Sequence, residues 1–288
     1  NDTKQLLYKL FQTGISLEKY VNGKIFYGIK TGLNKAFVID EETKNRLIDE
    51  DPKSAEIIKP FLAGRDIKRY ATLSFDNYLI FSRRGIDIKR FPAIEKHLLN
   101  HKIELTPKPK EWKGKDWKGR KPGSYKWYEL QDTIDYYLEF EKPKIIYPNI
   151  CKRNEFTFDE YNNYTNQKCF IIGSDDKYLL AILNSKVFYF LYQMKLPKLR
   201  GGFFEPSYVF IKVFPIANTE DKLVKKKLEN LSNEMLRLNA AFIKTKTPTE
   251  RTTIERQIKA TDTQIDQLVY QLYGLTEAEI KIVEGESK

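Results

Sequence analysis

Residues 221–274 read DKLVKKKLENLSNEMLRLNAAFIKTKTPTERTTIERQIKATDTQIDQLVYQLYG, and the spacing of their apolar side chains decides the architecture. Val224, Leu228, Leu231, Met235, Leu238 and Phe242 recur at intervals of 4, 3, 4, 3 and 4. After a polar break at Thr245–Thr249 that contains Pro248, the same intervals run through Ile254, Ile258, Thr261, Ile265, Leu268 and Leu272. Such spacing keeps one face of a helix apolar, and a short polar turn folds two such faces together, so an antiparallel helical hairpin is predicted. Gly274 suits the cap of its second helix, and Thr276 with Glu279 forms a capping-box pattern that opens a short last helix.

Upstream, the composition changes. Short β-rich runs recur at Lys24–Ile29, Ala36–Ile39, Tyr78–Phe81, Lys144–Tyr147, Glu155–Phe158 and Lys168–Ile172, each bounded by Gly, Asn, Asp or Pro. Helical signals interrupt them. Asp51-Pro52 can start a helix through Ala55–Phe61, with Gly64 just past its end. Asp175 or Asp176 can cap a single longer helix over YLLAILNSKVFYFLYQM, with Leu179, Leu183, Phe190 and Met194 on one face. The expected fold is α+β: a mixed-sheet domain over residues 1–219, then the hairpin and last helix over residues 220–288.

Charge divides along the same line. Residues 220–288 hold 12 basic and 12 acidic side chains, so the whole net charge of +11 falls in residues 1–219. It peaks in residues 102–126, with 9 basic side chains against 3 acidic. There the segment LTPKPKEWKGKDWKGRKPGSYK (105–126) carries three glycines and three prolines, too many for any regular element. Long loops of this kind inside a domain are usually functional or disordered. Lys113, Lys115, Lys118, Arg120, Lys121 and Lys126 surround Trp112, Trp117, Tyr125 and Trp127. Cations neutralise phosphates and planar side chains stack on bases, so the pattern points to nucleic acid. Lys195, Lys198 and Arg200 precede Gly201-Gly202, a second place where backbone could approach DNA closely.

Several chemistries lack their residues. No phosphate-binding G-x-x-x-x-G-K-[ST] loop, G-x-G-x-x-G turn or H-E-x-x-H helix occurs, and Tyr147-Pro148-Asn149 has the wrong order for the Asn-Pro-Pro-Tyr loop of amino methyltransferases. Cys151 and Cys169 form no C-x-x-C pair and the only histidines are His97 and His101, so a structural zinc site is not expected, and the two cysteines read as reduced, buried thiols. No run of 18 apolar residues suggests a membrane span, and no signal peptide opens the chain. The first residue is Asn1, as in a fragment or a processed chain. Glu111-Trp112-Lys113 and Asp87-Ile88-Lys89 match half of a metal-dependent nuclease motif, but Asp51-Pro52-Lys53 and Asp66-Ile67-Lys68 show how readily such triplets arise in a lysine-rich chain.

Eight stretches in order carry a resemblance: YGIKTGLNKAFVI (27–39), FLAGRDIKRY (61–70), WYEL (127–130), PKIIYP (143–148), YLLAILNS (178–185), RGG (200–202), FPI (214–216) and LVYQLYGLT (268–276). Together they resemble the TaqI-like C-terminal specificity domain, the target-recognition region of type IIG restriction-modification enzymes and adenine-specific DNA methyltransferases. The resemblance implies sequence-specific recognition of double-stranded DNA by a cytoplasmic bacterial or archaeal phage-defence enzyme. It implies no catalytic residue and no metal in this chain. Methyl transfer from S-adenosylmethionine to adenine N6 would belong to an N-terminal domain of the same polypeptide, with or without a fused nuclease. The expected DNA-facing residues are Lys30, Thr31, Asn34, Arg65, Lys68, Lys113, Lys115, Lys118, Arg120, Lys121, Lys126, Trp127, Lys198 and Arg200. Two alternatives stand beside this: a magnesium-dependent nuclease built on Glu111 and Lys113, and a protein-interaction module of a phage-defence complex presenting the hairpin.

Overall fold

The computed structural model describes residues 2–286; Asn1, Ser287 and Lys288, the outer limits of the two expected domains, lie outside them. A four-stranded antiparallel sheet forms the central wall, in the order Ile25–Tyr27, Cys169–Ile172, Lys144–Pro148, Thr157–Asp159. Successive side chains on a strand point to opposite faces. Here both faces are covered. Ile145, Tyr147, Phe170 and Ile172 enter one hydrophobic core, while Ile146, Cys169 and Ile171 enter another. That is why KIIYP carries no polar alternation.

The second core packs beneath a smaller mixed sheet ordered Val38–Ile39, Asn77–Ile80, Ile58–Leu62, Tyr164–Thr165, in which only the last pairing is parallel. The first core is helical. It gathers Leu6 and Leu10 of the helix Asp2–Thr13, the helices Lys177–Leu183 and Lys186–Lys195, and the hairpin side chains Leu228, Met235, Ile265, Leu268 and Val269. The hairpin forms as its periodicity predicts, from Lys222–Lys244 and Pro248–Leu272, followed by Glu277–Glu284 behind the Thr276–Glu279 capping box. Gly274 takes φ +62° at the end of its second helix.

Polar ties fix the hairpin to the elements behind the wall. Arg69 donates to Asn184 O and grips Asp262 with both terminal nitrogens, and the Asp266 carboxylate accepts the Lys186 N–H at 2.9 Å. The Tyr273 hydroxyl donates to Pro215 O at 2.6 Å, on the strand Pro215–Ala217 that pairs with Gly14–Ser16. No described helix is long and apolar enough to cross a membrane.

Three local expectations give way to longer-range contacts. The helix over 178–194 is two helices, because Asn184 leaves the helical path and its side chain bonds both the N–H and the C=O of Phe156, while Ser185 caps the second helix. Met194 is accordingly exposed. The helix expected over Ala55–Phe61 stops as a 3₁₀ turn at Glu56, and Ile58–Leu62 is a strand; Pro60 is incompatible with a helix interior. At Ala36–Ile39 only Val38–Ile39 is strand, since the Ala36 and Phe37 N–H groups turn back to Leu33 O.

One polar pair sits inside the wall. Lys144 and Asp159, opposite each other on neighbouring strands, form a fully buried ion pair at 2.6 Å, and Lys144 Nζ also donates to Phe140 O at 2.6 Å. Burial pulls the lysine below its usual range, and the aspartate opposes that shift. A lone buried charge is far costlier than a paired one. Lys144→Met should therefore lower unfolding free energy by roughly 3–5 kcal/mol in denaturant melts, with Asp159→Asn added to it recovering part; a loss within about 0.5 kcal/mol, as for a typical surface substitution, would contradict this role.

Candidate nucleic-acid interface

The loop 105–126 is irregular yet held in place, and the group that holds it is Arg120. Its guanidinium donates from Nε to Leu105 O (2.7 Å), from Nη1 to Glu129 O (2.7 Å) and Thr31 O (3.3 Å), and from Nη2 to Trp127 O (2.9 Å) and Lys126 O (3.1 Å). It lies over the Tyr125 ring and is only 4% exposed. Burial draws it down to about 10, with Tyr125 and Glu129 opposing the fall, so it stays charged at neutral pH. Arg120 is thus a correction to the expected interface: every donor direction is spent inside the fold. Thr31 is a second correction. It is 2% exposed, with its hydroxyl donating to Asn34 Oδ1 at 2.7 Å and its carbonyl facing Arg120.

What Arg120 anchors does face outward. A cleft of about 480 Å³ opens among Lys30–Asn34, Gly119–Lys121, Gln131 and Gln167. A second, of about 410 Å³, opens among Ala63–Arg65, Lys68, Ile150, Asn166, Lys168 and Phe203. The turn 166–168 separates them and is stitched to both sides. Gln167 N–H donates to Ile29 O at 3.1 Å, Asn166 N–H to Leu62 O at 2.9 Å, and Asn149 N–H to Lys168 O at 2.8 Å. At this seam glycine is required: a Cβ on Gly28 would sit 1.9 Å from Asn166 O, and one on Gly64 2.6 Å from Lys168 O.

Beyond the second cleft, Lys198–Leu199 and Phe203–Phe204 form a small hairpin whose turn needs Gly201 and Gly202 at φ +84° and +77°. The Phe204 backbone pairs with Cys151, and Lys152 lies over the Phe203 ring. One front therefore runs from Lys121, tied in by the Arg120 side chain, through Lys30, Lys168, Arg65 and Lys68 to Lys198 and Arg200, these linked by backbone pairings. Arg65, Lys121, Lys168, Lys198 and Arg200 are exposed along it, and Lys30 is half-buried. Lys68 is exposed too, 3.5 Å from Glu155. Lys168 and the two glutamines, Gln131 and Gln167, are missing from the sequence-based set, and none of them belongs to a motif that points to DNA.

The remaining expected residues line neither cleft. Lys113, Lys115 and Lys118 ride on the outer excursion of the loop, fastened where Trp117 Nε1 donates to Thr106 O at 3.2 Å and Trp112 packs edge-on against Trp117. Lys126 is exposed, and Trp127 is half-buried under Lys102. Of the nuclease triplets, Asp87 accepts the Lys89 N–H and Lys89 pairs with Glu95 at 2.6 Å. Among the described residues no three His, Cys, Asp or Glu side chains are grouped to hold a metal. Both thiols are buried, with Cys151 pushed up to about 12, which makes them poor nucleophiles.

Residues 59–216, more than half of the chain, match the family model of the TaqI-like C-terminal specificity domain. The match begins after Lys30, Thr31 and Asn34 and ends before the hairpin. Among solved structures, the type IIL restriction-modification enzyme MmeI in complex with DNA is similar at 14% identity and a TM-score of 0.63 over 91% of this chain. The type IIG restriction endonuclease BpuSI aligns over 94% at 14% identity, with a TM-score of 0.46. The chain spans about a third of each, 35% and 33%. No curated protein sequence matches it significantly.

Arg120→Lys keeps the charge but not the five-way fork. It should speed amide exchange at residues 105–131 and lower stability by about 2–4 kcal/mol, since each buried carbonyl left unpaired costs about 1–3 kcal/mol. Wild-type exchange in Arg120→Lys, with only DNA affinity reduced, would return Arg120 to the DNA-facing set.

Proposed function

The chain belongs to the TaqI-like C-terminal specificity domain family, and from that premise we propose that the front from Lys121 to Arg200 is where it grips double-stranded target DNA. The observation that carries this reading is the continuity of the front. Cations from five separate chain segments are joined into one series, by backbone hydrogen bonds from Lys30 onward and by the Arg120 side chain on Thr31 O at the Lys121 end. Phosphate contacts set the register of a protein on a duplex, and side chains at base edges then choose sequence. The outer loop, with Lys113, Lys115, Lys118 and the exposed Trp112, supplies a projecting arm beside that front.

A family of specificity modules selects targets for chemistry performed elsewhere. We place this chain in a longer polypeptide whose preceding domain methylates adenine N6 and binds S-adenosylmethionine, in a bacterial or archaeal cytoplasm. Adenine N6 is buried in the base stack, so such an enzyme must extrude the base and hold the remaining duplex firmly. A cationic front backed by a rigid wall provides that hold. The electrically neutral hairpin of residues 220–288 serves as scaffold, stiffening the wall from behind.

Fluorescence anisotropy with a labelled duplex tests the reading. Binding should weaken steeply with salt, because each phosphate neutralised releases counterions and adds about 0.9 to the log–log slope. Replacing both Arg65 and Lys121 with Glu should weaken binding at least tenfold and flatten that slope by about 2, at unchanged melting temperature. Salt-independent binding, or an unaffected double variant, would sink the assignment.

A further inference from the structure

We propose that Gln131 and Gln167 are specificity-determining residues, each reading an adenine edge in the major groove; this rests on the DNA-binding reading of the same cleft. Both glutamines line the 480 Å³ cleft and both are fixed by their backbones to one loop. Gln167 N–H donates to Ile29 O at 3.1 Å, and Gln131 N–H to Thr31 O at 3.2 Å. Gln131 O in turn accepts from Arg84 Nη2 at 2.7 Å. The loop between those anchor points is itself locked, by Arg120 on Thr31 O and by Asp132 accepting the Lys30 N–H. The backbone at each glutamine is therefore anchored to the same loop.

Their side-chain amides are free. Neither makes a hydrogen bond to any described residue, although each could form several. The Gln131 amide lies over Gly32, where a Cβ would come within 3.0 Å of its Oε1, and Gly32 holds φ +85°. A residue without a side chain there leaves the amide room to reach out of the cleft. Asn34 differs: its Oδ1 already accepts from Thr31, which leaves only its Nδ2 to meet a ligand.

The chemistry of the cleft selects the base. Its lining carries three amides, two lysines and Arg120, whose donors are all spent on backbone carbonyls, and no carboxylate. Cytosine offers an amino donor that Glu or Asp accepts best, and guanine offers two acceptors that suit Arg or Lys. A carboxamide presents one acceptor and one donor side by side, the complement of adenine N6 and N7. Lys30 and Lys121 on the rim are placed to take the flanking phosphates.

The test is selection of duplexes bound by the 288-residue chain from a randomised library, at fixed low salt. The wild type should enrich a motif with adenine at two positions. Gln131→Ala and Gln167→Ala should each relax preference at one of them by about 5- to 150-fold. Affinity for random duplex and the melting temperature should not change, whereas Lys121→Glu should lower affinity for every sequence and leave the preferences intact. Gln167→Glu should move its position from adenine towards cytosine. A flat wild-type profile, or alanine variants that keep the wild-type profile, overturns the inference while DNA binding stands. Absence of any DNA binding by the wild type overturns both.

Discussion

Five backbone carbonyls from three distant stretches of chain converge on the Arg120 guanidinium, and the shape of the cationic front depends on that convergence. A segment with three prolines and three glycines has no ladder of its own to satisfy its peptide groups. Buried carbonyls without partners are costly, and so is a buried guanidinium without acceptors. Each cancels the other here. The result is an irregular loop with a defined position, which sets Lys121 and Lys30 on one cleft with the Arg120 stem close against Gly32.

The rest of the molecule makes that arrangement rigid. The four-stranded sheet is buried on both faces, so neither core can shift without the other. Arg69 with Asp262, and Lys186 with Asp266, bind the hairpin to the helices behind the wall. Division of labour follows from charge: residues 220–288 are neutral and pack, while the excess of positive charge lies in the part that carries the clefts. The neutral segment is built of the most regular elements and the cationic front of turns and loops, where side chains can be exchanged with little effect on the core.

What could be read beforehand followed physical range. The hairpin was legible because its signal is purely local: apolar residues every three or four positions over two long helices. The wall strands at 144–148 and 169–172 were legible because their β-branched and aromatic runs end at turn residues. The break at Asn184 was not, since it depends on Phe156, 28 residues away. Arg120 shows the same limit at the site. Its residue type and its basic, aromatic neighbours suggested an exposed phosphate contact, and only the convergence of Leu105, Thr31 and Glu129 around it reverses that. Gln131, Gln167 and Lys168 carried no motif at all; their importance comes from where two sheets bring their turns together.

The central claim is that one face, built around the loop Arg120 fixes, meets DNA while the hairpin does not. Lysine acetylation footprinting with and without duplex measures this directly. Lys30, Lys68, Lys121, Lys168 and Lys198 should lose reactivity when DNA is bound, and Lys227, Lys244 and Lys259 on the hairpin should keep theirs. Protection of the hairpin lysines with the cleft lysines unchanged would contradict the account.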